Sequence, residues 1–165
     1  MPAPAAPAPA AAERAFRRAL GRFATGVTLI TAPGGASLVV NAFMSVSLDP
    51  PLVAFCVGHS SLTWRRMRRS ARLGINVLDS SVDDVRDRAR PGADRLAGLE
   101  VRVDADAVPR LTQATAFLLA DVVDERAVGD HVLVTCAVLE ADCDDSRRPL
   151  VFFGGAFGSF APTGR

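Results

Sequence analysis

The chain has 165 residues, a mass of 17.4 kDa and a formal charge of +1, with 49% hydrophobic and 22% charged residues. This is the size and balance of one soluble domain that buries about two-thirds of its unfolded surface, with no global field drawing it toward nucleic acid or an anionic membrane. All nineteen cationic residues are arginine. Cys56, Cys136 and Cys143 are odd in number and widely spaced, and His59 and His131 are the only histidines. Reduced thiols in the cytoplasm are expected, with no disulfide framework and no metal site.

Residues 1–12, MPAPAAPAPAAA, carry four prolines and no positive stretch. They read as a disordered, partly extended tail and not a signal peptide, leaving one working domain over 13–165. No apolar run approaches the ~20 residues a bilayer-crossing helix needs. Phe16, Ala19, Leu20 and Phe23 recur at helical spacing, which predicts an amphipathic helix from Glu13 to Phe23. Val27 to Ala32 is β-branched and apolar, and Pro33-Gly34-Gly35 is a turn.

Ser37 to Leu48 alternates cleanly and predicts one strand. Leu38, Val40, Ala42, Met44, Val46 and Leu48 fall on one face, with Asn41, Phe43, Ser45 and Ser47 on the other. Asp49-Pro50-Pro51 ends it, and Leu52 to Val57 is the next strand. A helix is expected from about Ser61 to Arg69, capped by Ser60 or Ser61, and a second from Ser81 to about Arg90, with strand Leu73 to Leu78 between them. Beyond Pro91 to Gly98 the pattern is β: Glu100 to Asp104, Ala116 to Val123, and a long strand His131 to Ala141 after a Gly129-Asp130 turn. Leu150 to Phe153 then runs into the glycine-rich Gly154 to Gly158. Many short strands and few helices predict a mainly β fold, a closed or nearly closed barrel with flanking helices.

Three features admit chemistry and a plainer reading alike. Asn41, Ser45 and Ser47 beside Phe43 form either a solvated strand face or a platform for a planar, hydrogen-bonding ligand. Ser60-Ser61-Leu62-Thr63 opens a helix, either as a serine cap or as hydroxyls that hold a phosphate. His131 follows a turn and is either structural or a donor at a barrel mouth. Five arginines between residues 65 and 72 are balanced by nearby aspartates and lack interleaved aromatics, so no nucleic-acid surface is expected. No dinucleotide, phosphate-loop or nucleophile-elbow motif is present, so redox chemistry would need a borrowed cofactor.

As an ordered set, these residues resemble the short flavin reductases of two-component flavin-dependent monooxygenases, within the flavin reductase-like, flavin-binding split-barrel group. The matching stretches are Phe16 to Val27, Asn41 to Val53, Asn76-Val77-Leu78, Gly129-Asp130-His131 and the terminal glycine-rich segment. The resemblance implies an antiparallel Greek-key split barrel and a homodimer with its clefts near the subunit interface. It implies hydride transfer from NADH or NADPH to FAD or FMN, with reduced flavin passing to a monooxygenase component. Asn41, Ala42, Phe43, Met44, Ser45 and Ser47 would lie along the flavin ring, Ser60, Ser61 and Thr63 would hold the ribityl phosphate, and His131 would meet the nicotinamide. Phe157 would face the flavin at a position where the group often has tyrosine. The alternative is a non-catalytic flavin-binding or electron-carrying split barrel. A pyridoxine-phosphate oxidase on the same barrel fits the matched motifs less well.

Overall fold

In the computed structural model the described residues are 10–82, 84–103 and 105–163. Most of the expected tail, residues 1–9, lies outside them. Helix α1 (Ala10–Leu20) leads into strands β1 (Thr25–Gly26) and β2 (Thr28–Thr31), a 3-10 turn at Pro33–Gly35, β3 (Ser37–Val40), β4 (Phe43–Leu48) and β5 (Pro51–Gly58). Then come α2 (Leu62–Met67), β6 (Arg72–Val77), α3 (Val85–Arg88), β7 (Val101–Val103), β8 (Pro109–Leu111), β9 (Ala116–Val128), β10 (His131–Cys143), β11 (Leu150–Phe153) and β12 (Ala156–Ser159).

Seven strands form one antiparallel sheet in the order β3-β2-β6-β9-β10-β5-β4. Its two edge strands, β3 and β4, are joined only by Asn41 and Ala42. Laid flat, seven strands would separate those edges by about 29 Å, whereas Val40 and Phe43 can be at most about 11 Å apart. The sheet therefore has to roll into a barrel, and the Cys56 N–H carries the β4–β5 ladder back to the connection by donating to the Ala42 carbonyl at 3.0 Å. Two smaller sheets, β1-β11-β12 and β7-β8, flank it.

The strand expected to run unbroken from Ser37 to Leu48 is thus two strands with different partners, β3 on β2 and β4 on β5. The break also reverses the facing. Leu38 and Val40 are buried, but beyond the seam Phe43 packs on the core while Met44, Val46 and Leu48 are exposed. The ten-residue helix expected from Ser81 shrinks to the single turn of α3. Its first residues are held elsewhere: the Ser80 N–H donates to Arg148 O, and the Ser81 N–H to Asp79 Oδ1.

Packing follows from the closure. Ile30, Val40, Phe55, Leu73, Ile75 and Val134 meet in a cluster that also takes in Trp64 and Met67 of α2. Val27, Leu29, Leu78, Val85, Leu111 and Leu150 build a second cluster. That is why β2 is buried at every position: Ile30 belongs to one cluster and Leu29 to the other. Cys136 is buried and unbonded, and burial pushes its thiol up to about 12. No helix among the described residues is long and apolar enough to cross a membrane.

Asp79 ties β11 to the end of β6. Burial raises its pKa, but bonds from Ser81 and from the Arg148 N–H outweigh this and hold the carboxyl below its ordinary value of 3.8. A depressed folded pKa adds stability above the unfolded value and loses it as pH falls through the folded one. Asp79→Asn, which keeps one acceptor oxygen, is expected to lower stability at pH 7 by about 1–2 kcal/mol. Chemical denaturation at pH 7 and again near pH 3 should show the gap between the two proteins closing in acid.

Candidate active site

The seam that closes the barrel also opens a cleft. Two chambers meet at Asn41 and Cys56, which line both. The first, of ≈ 610 Å³, is predominantly apolar. Ala42, Phe43 and Met44 wall one side, with Phe55 and Leu133 from the barrel and Phe152 from β11. Leu20 and Phe23 border it from α1 and the turn that follows. The second, of ≈ 530 Å³, is polar and is bordered by Ser60, Ser61, Thr63, Arg95 and His131. The pair joins a largely apolar chamber to a polar one bordered by hydroxyls.

Local folding explains why each group is there. The β9–β10 hairpin turns at Gly129, whose φ of 61 suits glycine at the first position of a two-residue turn, and this delivers His131 opposite Gly58 at the end of β5. The His131 ring is half-exposed, and its Nδ1 lies 2.6 Å from Asp130 Oδ1. That bond to the imidazole holds the Asp130 carboxyl below its ordinary range. With Nδ1 committed to Asp130, Nε2 is the nitrogen left for a ligand. Ser61 caps α2, its Oγ accepting from the Trp64 N–H at 3.1 Å, and its own hydroxyl proton is still available to donate.

The cleft brings together Asn41, Ala42, Phe43, Met44, Ser60, Ser61, Thr63 and His131 from the expected set. Ser45 and Ser47 lie farther along β4, where a bulge separates their pairings with Val53 and Leu52, and they border neither chamber. Phe157 stacks at 5.2 Å on Phe152 and joins the second core cluster, so Phe152 is the aromatic of this hairpin that reaches the chamber. The sequence reading passed over Thr25, Cys56, Phe152 and Arg95. Thr25 sits inside a matched stretch, whereas nothing local to Arg95 distinguishes it from its neighbours.

Two of the cleft's polar atoms are buried with no protein partner: Thr25 Oγ1 in the apolar chamber and Arg95 Nε in the polar one. A folded chain rarely leaves such atoms unmet, because each costs about 1–3 kcal/mol.

An antiparallel barrel with a largely apolar chamber running into a polar one is the frame in which the relatives of this chain are found. Residues 20–161 match the family described as "Flavin reductase like domain". A flavin reductase of Pseudomonas putida is 34% identical over 151 residues, covering 88% of this chain and 89% of that one. The reductase component of a 4-nitrophenol 4-monooxygenase/4-nitrocatechol 2-monooxygenase of Rhodococcus opacus is 34% identical over 153 residues, covering 89% and 80%. The solved structure of the NADH:FAD oxidoreductase SgcE6 of Streptomyces globisporus, in complex with NAD and FAD fragments, superposes with a TM-score of 0.85 at 28% identity, covering 96% of this chain and 98% of that one. The chain belongs to the flavin reductase-like family and has its split-barrel fold.

Proposed function

We propose that this protein is an NAD(P)H-dependent flavin reductase that binds FAD or FMN in the cleft at Asn41 and supplies reduced flavin to a monooxygenase component. The observation that carries the reading is the two-chambered cleft, with an orphaned hydroxyl at Thr25 where a ring edge would lie and a donor set at Ser60, Ser61 and Thr63 where a phosphate would lie. Hydride transfer is the chemistry the nicotinamide and flavin supply to each other when bound. The protein's share is to orient, to exclude water and to meet charge.

Phe43, Phe55, Leu133 and Phe152 give the ring an apolar surface, and removing water strengthens every hydrogen bond made inside. Asn41 stands where the two chambers join. His131 Nε2 orients the nicotinamide and need not act as an acid. His131→Ala is therefore expected to raise the KM for NADH at least 10-fold while flavin affinity changes less than 2-fold. Steady-state rates indistinguishable from wild type would refute the assignment. The reading as a whole is tested by anaerobic mixing with NADH, NADPH, FMN and FAD in all pairings, following loss of flavin absorbance. No bleaching in any pairing would overturn it.

The reading includes a homodimer. Its support is the apolar surface that one chain leaves in water: Phe16, Leu20 and Phe23 around the exposed α1, and Met44, Val46 and Leu48 along β4. Both groups border or continue the wall of the apolar chamber, so a second copy lying across them would cover the cleft's outer side. A cytoplasmic setting completes the reading, supported by three cysteines that stand unbonded.

A further inference from the structure

The Asp130 side chain is 94% exposed, so it packs against little, yet it makes a short 2.6 Å contact with His131 Nδ1. Among the described residues no arginine bonds this carboxylate. Its backbone is held from the other side, where Asp130 O accepts from the His59 N–H at 3.1 Å. The bond to the imidazole keeps the carboxyl below its ordinary range, so at neutral pH it is ionised. An ionised carboxylate can only accept, and the hydrogen of the 2.6 Å contact therefore sits on Nδ1.

A neutral imidazole carries a single ring hydrogen. With that hydrogen on Nδ1, Nε2 presents a lone pair and not an N–H. The rest of the polar chamber's wall is rich in donors, the hydroxyls of Ser60, Ser61 and Thr63, the Arg95 guanidinium and the Asn41 amide nitrogen. His131 Nε2 is the one side-chain nitrogen on that wall that accepts.

Resting on the flavin-reductase reading, we infer that Asp130 is a positioning residue that fixes the His131 tautomer, so that Nε2 accepts from the carboxamide N–H of the nicotinamide and selects donors that carry this amide. The opposite tautomer would present Nε2–H, which a ketone on the pyridine ring satisfies as well as an amide does. Asp130→Ala removes the acceptor at Nδ1, and Asp130→Asn offers an amide N–H to it. Either change releases the ring hydrogen to Nε2.

Competitive inhibition against NADH by NAD and by its 3-acetylpyridine analogue, which has a methyl group in place of the amide nitrogen, reads the selection. Wild type is expected to prefer NAD. That preference should fall about 3- to 10-fold in Asp130→Ala and Asp130→Asn, the worth of one neutral hydrogen bond, with flavin affinity within 2-fold. Adding Asp130→Ala to His131→Ala should leave the preference within 2-fold, because the aspartate acts through the ring. A merely structural aspartate would lower the melting temperature and weaken both inhibitors alike. Nitrogen-15 spectra of the imidazole at pH 8.5 test the tautomer with no ligand present, and wild type is expected to carry its hydrogen on Nδ1 alone. A wild-type ring protonated at Nε2 there, or an unchanged preference in both Asp130 variants, would overturn the assignment while leaving the reductase reading intact. A protein that reduces no flavin with NADH or NADPH would bring down both.

Discussion

Gly74→Val is expected to cost more than about 3 kcal/mol, enough to lower the melting temperature by roughly 6–12 °C in a domain of this size. Gly74 lies in β6, paired with Thr31 on one side and Leu119 on the other. A Cβ placed there would come within 2.5 Å of Thr31 Oγ1, 2.8 Å of Val108 Cγ1 and 3.0 Å of Phe117 Cε2. None of these can retreat freely. Thr31 Oγ1 is held by bonds to Gly74 O at 3.3 Å and Pro109 O at 2.6 Å, while Val108 and Phe117 are themselves buried. Each residue belongs to a different segment, so relief at one contact tightens another. Gly26→Ala is the control, since nothing lies within 4 Å of a Cβ there, and it should stay within about 0.5 kcal/mol of wild type. Thermal and urea unfolding of both variants measure the contrast. A Gly74→Val protein as stable as Gly26→Ala would mean this wall yields where the packing says it is rigid.

Asn76→Leu tests the same wall through hydrogen bonding. The Asn76 amide is fully buried; its Nδ2 donates to Leu29 O at 3.1 Å and to Thr31 Oγ1 at 3.3 Å, and its Oδ1 accepts from the Leu111 N–H at 2.8 Å. One side chain thus pins β8 to the barrel. Leucine has a similar volume and none of these groups, leaving the Leu111 N–H buried without an acceptor. The expected loss is about 2–4 kcal/mol, from stranded polar groups more than from packing. Amide hydrogen exchange should show its largest acceleration at Leu111. Slow exchange there, with wild-type stability, would mean another acceptor takes over.

Strands that are apolar runs bounded by breaks in the pattern, such as β5, β6 and β10, were legible from composition and punctuation, although burial along them does not simply alternate: β6 is buried at four successive positions. Ser37 to Leu48 was not. Its alternation is unbroken in sequence, but the chain changes partner at Asn41-Ala42, and no local pattern encodes which strand will pair with which half. The helix expected from Ser81 failed for a related reason: residues 80 and 81 are bonded to Arg148 and Asp79, and Arg148 is 68 positions from Ser80. Asn41 to Met44, Ser60, Ser61, Thr63 and His131, which border the cleft, were legible because they sit in ordered motifs. That Thr25 and Arg95 also border the cleft was hidden, since it depends on how distant segments fold together and not on the residues themselves. The sequence names the β11–β12 hairpin but not which of its two ring-contacting phenylalanines, Phe152 or Phe157, borders the chamber.

The seam imposes a length rule on this barrel. Two residues are just enough to pass from the first edge strand to the last, and the pairings on both sides fix where that passage begins and ends. One added residue held in strand conformation would slip the phase of β4 by a half-period, turning Phe43 outward and Met44 inward, and so strip the aromatic wall from the slot while leaving the composition almost unchanged. Lengthened or shortened relatives should accordingly keep the Asn41-Ala42 step at two.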